Sequence, residues 1–344
     1  MLLIINMDNK KILLSYGSGG RYMHNLIKKL FLPSFKSPTL SQLTDSAVLK
    51  NPDLDCELCF TTDSYTVEPI FFPGGDIGKL AVCGTVNDLA VMGAKPLYLS
   101  SSIIVEEGLD VKVIEGIVKS IAETSKKAGV EIVTGDFKVV EKGKIDKIFI
   151  NTSGIGVRKK NLSIGKPFIN IGDKVIVNGD IGEHEIAVLL ARKEFGISGN
   201  IRSDCAALNG LIEKIMEVSS NIHFMRDPTR GGIATTLNEI VEGQNFGILL
   251  HQGKIPVSKK VSSICELLGF DPLYLANEGK VVVICGQKDS EKVLSVMRKH
   301  PLGKKATMIG EVIEEYMGQV VMETLAGSLR IVDMLSGSQL PRIC

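Results

Sequence analysis

Strand-length and helix-length apolar segments alternate along this chain, and the alternation occurs twice. In the first half, residues 57–62 and 97–105 read as strands, while residues 111–128 carry apolar side chains at helical spacing. In the second half, residues 174–178 and 280–285 read as strands, with helical segments between them. The pattern predicts two α/β domains, which agrees with the domain number expected for 344 residues.

Two changes in pattern suggest where the parts of the chain meet. A glycine-rich, weakly patterned stretch over residues 154–172 separates the halves, and the packed pattern weakens again near residue 318. We therefore expect an N-terminal segment with a glycine-rich turn (1–42), an N-terminal domain (43–158), a C-terminal domain (159–318) and a tail (319–344). Glycine and proline in the last twenty residues predict a loosely held tail.

The overall composition excludes several classes of protein. The 40 basic and 39 acidic side chains give a net charge of +1, which argues against nucleic-acid binding through bulk positive charge. No apolar run approaches the length of a membrane-spanning helix. Seven cysteines, an odd number, spread over a chain without a recognisable signal peptide predict free thiols in a reducing, cytoplasmic compartment.

Acidic and amide side chains interrupt the apolar segments at several points. Asn87 and Asp88 lie in the middle of a predicted helix, where both are poor helix formers. A solvated helix face is one interpretation, but the neighbouring residues are mostly apolar. Carboxylates at the ends of strands and helices are the hard oxygen ligands that Mg²⁺ shares with phosphate. The residues of this kind are Asp45, Asp63, Asp76, Asn87, Asp88, Asp136 and Asp227.

Glycine-rich turns add a second signal. They occur at residues 17–20, 74–75 and 230–232, and the last two open predicted helices, the first of them with Asp76 as a plausible N-cap. Free backbone N–H groups at such helix starts, as at Gly231 and Gly232, suit a phosphate group. No Walker A sequence is present. Together with the acids, the turns suggest a nucleotide and Mg²⁺ bound outside the P-loop class.

The last residue, Cys344, is a third signal. An incidental thiol at a frayed chain end is the ordinary interpretation. A thiol at the tip of a mobile tail can also visit several sites, and the tail from Gly337 spans at most about 25 Å when extended. Such a thiol is well placed to carry a chemical group.

Segments along nearly the whole chain resemble the HypE family of hydrogenase maturation proteins, the carbamoyl dehydratases of the PurM-like superfamily. They include Gly-Thr-Val-Asn-Asp-Leu-Ala-Val-Met-Gly at 84–93, Met-Arg-Asp-Pro-Thr-Arg-Gly-Gly at 225–232 and Leu-Pro-Arg-Ile-Cys at 340–344. The terminal Pro-Arg-Ile-Cys is the most specific of these. Four positions depart from the usual pattern: Tyr16, Thr44, Phe137 and Glu185.

The resemblance implies a two-domain α/β (α+β) fold whose N-terminal domains pair in a homodimer. It implies that a HypF-type carbamoyltransferase loads a carbamoyl group onto Cys344, and that ATP with Mg²⁺ drives its dehydration to a thiocyanate. The cyano group would then pass to iron held by a HypC–HypD complex, as a ligand for [NiFe]-hydrogenase.

The resemblance also implies roles for individual residues. The superfamily's Mg²⁺–phosphate acids match Asp45, Asp88 and Asp227, and positions lining the nucleotide match Asp63, Asp76, Asn87 and Asp136. Lys138 and Glu278 match the pair expected beside the carbamoyl group. Glu278 would act as the base or keep Lys138 neutral, and Lys138 would otherwise stabilise developing charge; a structural ion pair is the alternative.

Two other functions stay open at this point. A sister enzyme, such as selenophosphate synthetase, thiamine-monophosphate kinase or aminoimidazole ribonucleotide synthetase, would share the acids but have no use for a terminal thiol. A nucleotide-gated interaction module would present its tail to partners without turnover. Dehydration of a carbamoylated Cys344 distinguishes the three.

Overall fold

Two mixed sheets, one in each half of the chain, frame the molecule in the computed structural model. The structure describes residues 20–35, 37–49, 55–193, 196–335, 340 and 342–344. No helix within these ranges is long and apolar enough to cross a membrane.

The N-terminal half builds a sheet with one covered and one uncovered face. Helices α3 and α4 pack on one face, where Leu80, Val86 and Ile117 are buried. The strand order is β1-β2-β7-β5-β6, in which only β5 and β6 run parallel. Its elements are α1 (Arg21–Leu26), a π-helical turn (Ile27–Phe31), α2 (Leu32–Phe35), β1 (Ala47–Leu49), β2 (Cys56–Tyr65), β3 (Phe71–Phe72), β4 (Gly75–Asp76), α3 (Ile77–Val91), β5 (Lys95–Glu106), α4 (Val111–Ala128), β6 (Glu131–Val140) and β7 (Ile148–Lys159).

The C-terminal half builds a second sheet, in the order β14-β13-β10-β12-β8-β11-β9. Its elements are β8 (Lys174–Val177), α5 (Glu183–Arg192), α6 (Asn209–Val218), β9 (Ile222–Arg226), α7 (Gly232–Val241), β10 (Gly247–His251), α8 (Lys259–Leu268), β11 (Val282–Cys285), α9 (Gln287–Lys299), β12 (Thr307–Ile313), β13 (Val320–Glu323) and β14 (Leu329–Val332).

Helices cover both faces of this second sheet at its centre. Along β8, Val175 and Val177 join one apolar core with α7, whereas Ile176 joins another with α6 and α9. Because successive strand side chains point to opposite faces, a strand between two cores needs a continuous apolar run. The apolar run over 174–178 carries that signal, and the strand predicted there is confirmed.

The region predicted as a tail from residue 319 begins instead as part of the sheet. Val320, Val321 and Met322 of β13 are buried, and β14 pairs with β13 as the edge strand. This segment is short and follows a glycine, so its apolar residues give no clear periodicity. The chain therefore leaves the C-terminal sheet only after Val332.

Candidate functional site

Polar side chains from both halves line one cavity of about 210 Å³. The N-terminal half contributes acids from the start of β1, from β2 and from α3, and the C-terminal half contributes residues from β9 to α7. Four predicted site residues meet here, namely Asp45, Asp63, Asp88 and Asp227. They are joined by Met23, Thr61, Thr62, Arg226, Thr229, Arg230, Thr235, Thr236 and Glu239.

Asp88 reaches the cavity from the last turn of α3. The Thr61 hydroxyl donates to Asp88 Oδ2 at 2.8 Å, which orients the carboxylate. The helix runs over Ile77–Val91 and gives way to Gly93 in the left-handed region, as the sequence indicates.

Burial and mutual repulsion disfavour the ionised forms of three of these carboxylates. Burial raises the pKa of Asp227 to about 7, with a further contribution from the charge of Asp45. Burial and the neighbouring charge of Asp227 hold the pKa of Asp88 well above its usual range. Burial also raises the pKa of Asp45, although Arg226 acts in the opposite direction. The cavity thus gathers negative charge that a cation would relieve.

These acids do not form a ready-made metal cage in a single chain. Within the ranges that the structure describes, no three His, Cys, Asp or Glu side chains stand close enough to hold a metal ion by themselves. Mg²⁺ in nucleotide sites is commonly held by one or two carboxylates together with phosphate oxygens and waters. The acid-lined cavity fits that mode.

The acid cluster should make stability depend on pH, and Asp227→Asn tests this. The pKa of Asp227 is near its ordinary value of 3.8 in the unfolded chain and about 7 in the folded protein, so the folded state binds the extra proton between these values. The wild type therefore loses stability as pH rises through this window. We expect the variant to gain about 2 kcal/mol above the window and nothing below it. Urea titrations across this range measure the difference; a variant less stable above pH 7 would contradict it.

Arg226 and its partner Glu239 are among the cavity residues that could not be recognised in the sequence. Arg226 Nε lies 2.8 Å from Asp45 Oδ1 and its Nη1 2.7 Å from Glu239 Oε2. Glu239 in turn pairs with His24 Nε2 at 2.7 Å, which ties the N-terminal helix α1 to the cavity. The segment 225–232 carries Arg226, but neither acidic partner is near it in sequence.

The glycine-rich turn at 230–232 begins α7 as predicted, and its N-terminus faces the cavity. Gly231 is the left-handed N-cap, and a Cβ on Gly232 would lie 2.5 Å from the Leu273 carbonyl oxygen. Thr235, in the first turn, has a buried hydroxyl without a hydrogen-bond partner. Free helix N–H groups and this hydroxyl suit a phosphate group.

Glu278 and Cys344 both lie within electrostatic range of Arg230, which lines this cavity. Glu278 is 2% exposed, its Oε1 has no hydrogen-bond partner, and burial holds its pKa well above the usual range. Burial raises the pKa of the Cys344 thiol to about 12, although the Arg230 guanidinium lowers it. The charges of Glu278 and Asp63 also act on this thiol.

The sequence predicts that Cys344 lies on a loosely held tail, beyond any packed element. In the structure, the last residues are packed instead. The Cys344 carbonyl oxygen accepts the Thr66 N–H at 3.2 Å, and the side chains of Leu340 and Ile343 are buried. The two apolar side chains give the chain end a packed position that glycine and proline content does not reveal. Residues 336–339 and 341, on which the predicted mobility also rests, lie outside the described ranges.

Lys138 and Asp136 lie apart from Glu278 within this chain. Lys138 Nζ pairs with Asp136 Oδ1 at 2.7 Å on β6, and the Lys138 side chain is 65% exposed. The sequence analysis placed Lys138 beside Glu278, but these two residues form no ion pair in the chain. The reason is topological, because β6 is the edge strand of its sheet.

Two further predicted site residues have structural partners. Asp76 is confirmed as the N-cap of α3, since its Oδ1 accepts the N–H groups of Gly78 and Lys79, and its Oδ2 accepts the Ser120 hydroxyl. Asn87 is buried and bridges the Ala206 carbonyl and the Leu208 N–H. Asn87 therefore ties α3 to the segment before α6.

Comparisons with known proteins agree with this arrangement. The chain matches the AIR synthase related protein N-terminal domain over residues 43–158 and the corresponding C-terminal domain over residues 170–323. It is 47% identical to the carbamoyl dehydratase HypE of Cupriavidus necator, over 99% of this chain and 97% of that protein.

Solved structures extend the similarity to the fold. A HypE–HypF complex contains a chain 48% identical to this one, with a TM-score of 0.85 over 90% of this chain and 99% of that chain. A HypE structure in complex with ATP is 46% identical, with a TM-score of 0.80 over 97% of this chain and 100% of that chain. The predicted two-domain α/β fold is confirmed, and the chain belongs to the HypE family of carbamoyl dehydratases.

Proposed function

We propose that this chain uses ATP to dehydrate a carbamoyl group carried on the Cys344 sulfur, giving a thiocyanate. The observation that carries this proposal is the position of the terminal thiol. The charges of Glu278 and Arg230 act on this thiol, and Arg230 itself lines the acid-rich cavity. Full-length identity to HypE proteins favours this function over the sister enzymes of the superfamily.

The chemistry needs a leaving group and a base. The carbamoyl oxygen attacks the γ-phosphorus of ATP, and ADP leaves. The carbon–oxygen bond then breaks, with the oxygen departing on inorganic phosphate, while both protons leave the nitrogen and a carbon–nitrogen triple bond forms. Phosphoryl transfer depends mainly on positioning and charge, and the proton removal requires a base.

The residues of the cavity supply the positioning and the charge. The start of α7 at Gly231, together with Thr235, would bind phosphate oxygens, whereas the Gly232 N–H already donates to the Thr229 carbonyl at 3.0 Å. Asp45, Asp88 and Asp227 would hold Mg²⁺, which offsets phosphate charge when it is bound. Arg226 holds Asp45 in place and shares the charge of the cluster. The similar protein in complex with ATP supports nucleotide binding at this fold.

Glu278 is the best candidate for the base. Its Oε1 is buried without a hydrogen-bond partner and therefore has a free acceptor position, and its charge acts on Cys344. Burial favours its protonated form, whereas the charge of Arg230 favours the ionised form that acts as a base. The role of Lys138 stays a prediction that would require a second copy of the chain or a movement of β6.

A homodimer through the N-terminal domains is the second part of the proposal. On the face of the N-terminal sheet opposite α3, Phe60 pairs with Ile155, and Ile155 with Tyr98. These three side chains are 43%, 42% and 46% exposed. A continuous apolar row across three strands is typical of a surface that another protein covers.

Ile155→Glu tests the dimer. We expect light scattering to give a particle of about twice 37.2 kDa for the wild type at micromolar concentration, and the monomer mass for the variant. Leu325→Glu is the matched control, because Leu325 is 80% exposed in the C-terminal half. A monomeric wild type, or a variant that stays dimeric, would argue against this face.

Two protein partners complete the proposal. A HypF-type carbamoyltransferase would load Cys344, in line with the HypE–HypF complex among the similar structures. A HypC–HypD complex would receive the cyano group. All seven cysteines are free thiols, which suits the reducing cytoplasm.

The function is tested by intact mass. Carbamoylated protein is incubated with ATP and Mg²⁺, and we expect Cys344 to lose the mass of one water molecule. ATP turnover without this loss would favour an interaction module, and phosphorylation of a small molecule would favour a sister enzyme.

A further inference from the structure

The last three residues are held by backbone hydrogen bonds to the segment after β2. The Thr66 N–H donates to the Cys344 carbonyl, and the Glu68 N–H donates to the Arg342 carbonyl at 3.3 Å. Arg342 Nε returns a bond to the Thr66 carbonyl at 2.9 Å. These contacts fix Arg342 and Cys344, whose carbonyls point to one side, and leave the intervening Ile343 carbonyl on the other side.

His184 binds that remaining carbonyl. It is fully buried in the first turn of α5, and its Nε2 lies 3.0 Å from the Ile343 carbonyl oxygen. Its Nδ1 lies 2.8 Å from Ser203 Oγ, and its ring packs edge-on against Phe72 with ring centroids 5.4 Å apart. The His184 ring is therefore fixed by Ser203 and Phe72 of the domain, and its Nε2 binds the tail.

The direction of each hydrogen bond follows from the partners. A carbonyl oxygen only accepts, so Nε2 carries the proton and Nδ1 is the acceptor. Ser203 Oγ already accepts the Cys205 N–H at 3.0 Å, which leaves the Ser203 proton free to point to Nδ1. Ser203 thus selects the tautomer of His184 that can donate to the tail.

We propose that His184, with Ser203 behind it, is a positioning residue that holds the Ile343 carbonyl and so fixes the docked position of the Cys344 sulfur during dehydration. This inference rests on the proposed function. The ring binds Ser203 through Nδ1 and the Ile343 carbonyl through Nε2. When the tail undocks, the Nε2 proton loses the Ile343 carbonyl. Docking is favoured because an unpaired buried donor is unfavourable.

His184→Phe tests the inference, since it keeps the ring and its contact with Phe72 but removes both nitrogens. We expect single-turnover dehydration of preloaded carbamoyl-Cys344 to slow about tenfold or more. The KM for ATP should stay the same, because His184 does not line the nucleotide cavity. Loading by the carbamoyltransferase should also be unchanged, because an undocked tail can still reach the donor.

A second readout does not depend on the dehydration chemistry. Iodoacetamide labelling of Cys344, followed by peptide mass, should be faster in His184→Phe than in the wild type. If wild-type protein forms no thiocyanate at all, the proposed function fails, while the labelling comparison still decides whether His184 docks the tail.

Three further variants separate positioning from folding. His184→Gln should recover part of the rate, because its amide can donate to the same carbonyl. Ser203→Ala should give a smaller effect in the same direction and decides the question if His184→Phe does not fold. His223→Phe is the control. His223 lies on β9, and its Nδ1 pairs with Asp173 Oδ2 at 2.7 Å rather than with the tail. Unchanged rate and labelling in the His184 and Ser203 variants, or an equal loss in His223→Phe, would overturn the inference.

Discussion

Cys344→Ala is expected to bind ATP as the wild type does and to form no thiocyanate. The sulfur is the proposed carrier, so its loss removes both acceptance of the carbamoyl group and its dehydration. The thiol is only half-buried and the main-chain contacts of the tail stay in place, so the free energy of unfolding should fall by less than about 1 kcal/mol.

The matched control for this variant is Cys56→Ala. Cys56 is also a half-buried free thiol, but it lies on β2, and neither Glu278 nor the acid cavity is among its contacts. Peptide mass spectrometry after loading and ATP addition compares the two variants. Thiocyanate on a chain that lacks Cys344 would mean that another of the seven cysteines is the carrier.

Extending the chain beyond Cys344 should impair dehydration more than loading. The Cys344 carbonyl accepts the Thr66 N–H, and the neighbouring Ile343 side chain is buried. Added residues therefore compete with docking, whereas the free tail can still meet the carbamoyl donor.

Asp88→Ala is expected to abolish ATP turnover while the protein stays folded. Asp88 would help to hold the cation that offsets phosphate charge. Removing this carboxylate should therefore lower the rate of ATP turnover about a hundredfold or more. Burial and the charge of Asp227 disfavour the ionised form of Asp88, which its raised pKa reflects. Its removal should therefore reduce the charge repulsion among the buried carboxylates, although the Thr61 hydroxyl loses its acceptor.

Steady-state ADP release and urea unfolding, measured on the same preparation, test this prediction. Asp110→Ala, which removes an exposed N-cap from α4, is the control that should lose some stability and keep turnover. Unchanged ATP turnover in Asp88→Ala would remove Asp88 from the site, and an unfolded variant would make its role structural.

Local signals in the sequence located part of this site correctly. A polar pair inside an apolar helix indicates buried polar partners, and both Asn87 and Asp88 have them. The same signal could not say which partners these are. Asp88 faces the acid cavity, whereas Asn87, its neighbour in sequence, ties α3 to the chain before α6.

Contacts between distant segments could not be predicted in this way. The bond between Thr66 and Cys344 spans 278 residues, and the docking of the tail depends on it. Arg226 binds Asp45 from the other domain. The separation of Lys138 from Glu278 within one chain could not be predicted for the same reason, because strand order places β6 at the edge of its sheet.

The central claim is that ATP activates the carbamoyl oxygen on Cys344, and isotope transfer tests it most directly. Cys344 is loaded with a carbamoyl group that carries a heavy oxygen isotope, and the loaded protein is incubated with ATP and Mg²⁺. We expect one labelled oxygen in inorganic phosphate for each thiocyanate formed. Thiocyanate accompanied by unlabelled phosphate, with the label in water, would contradict it.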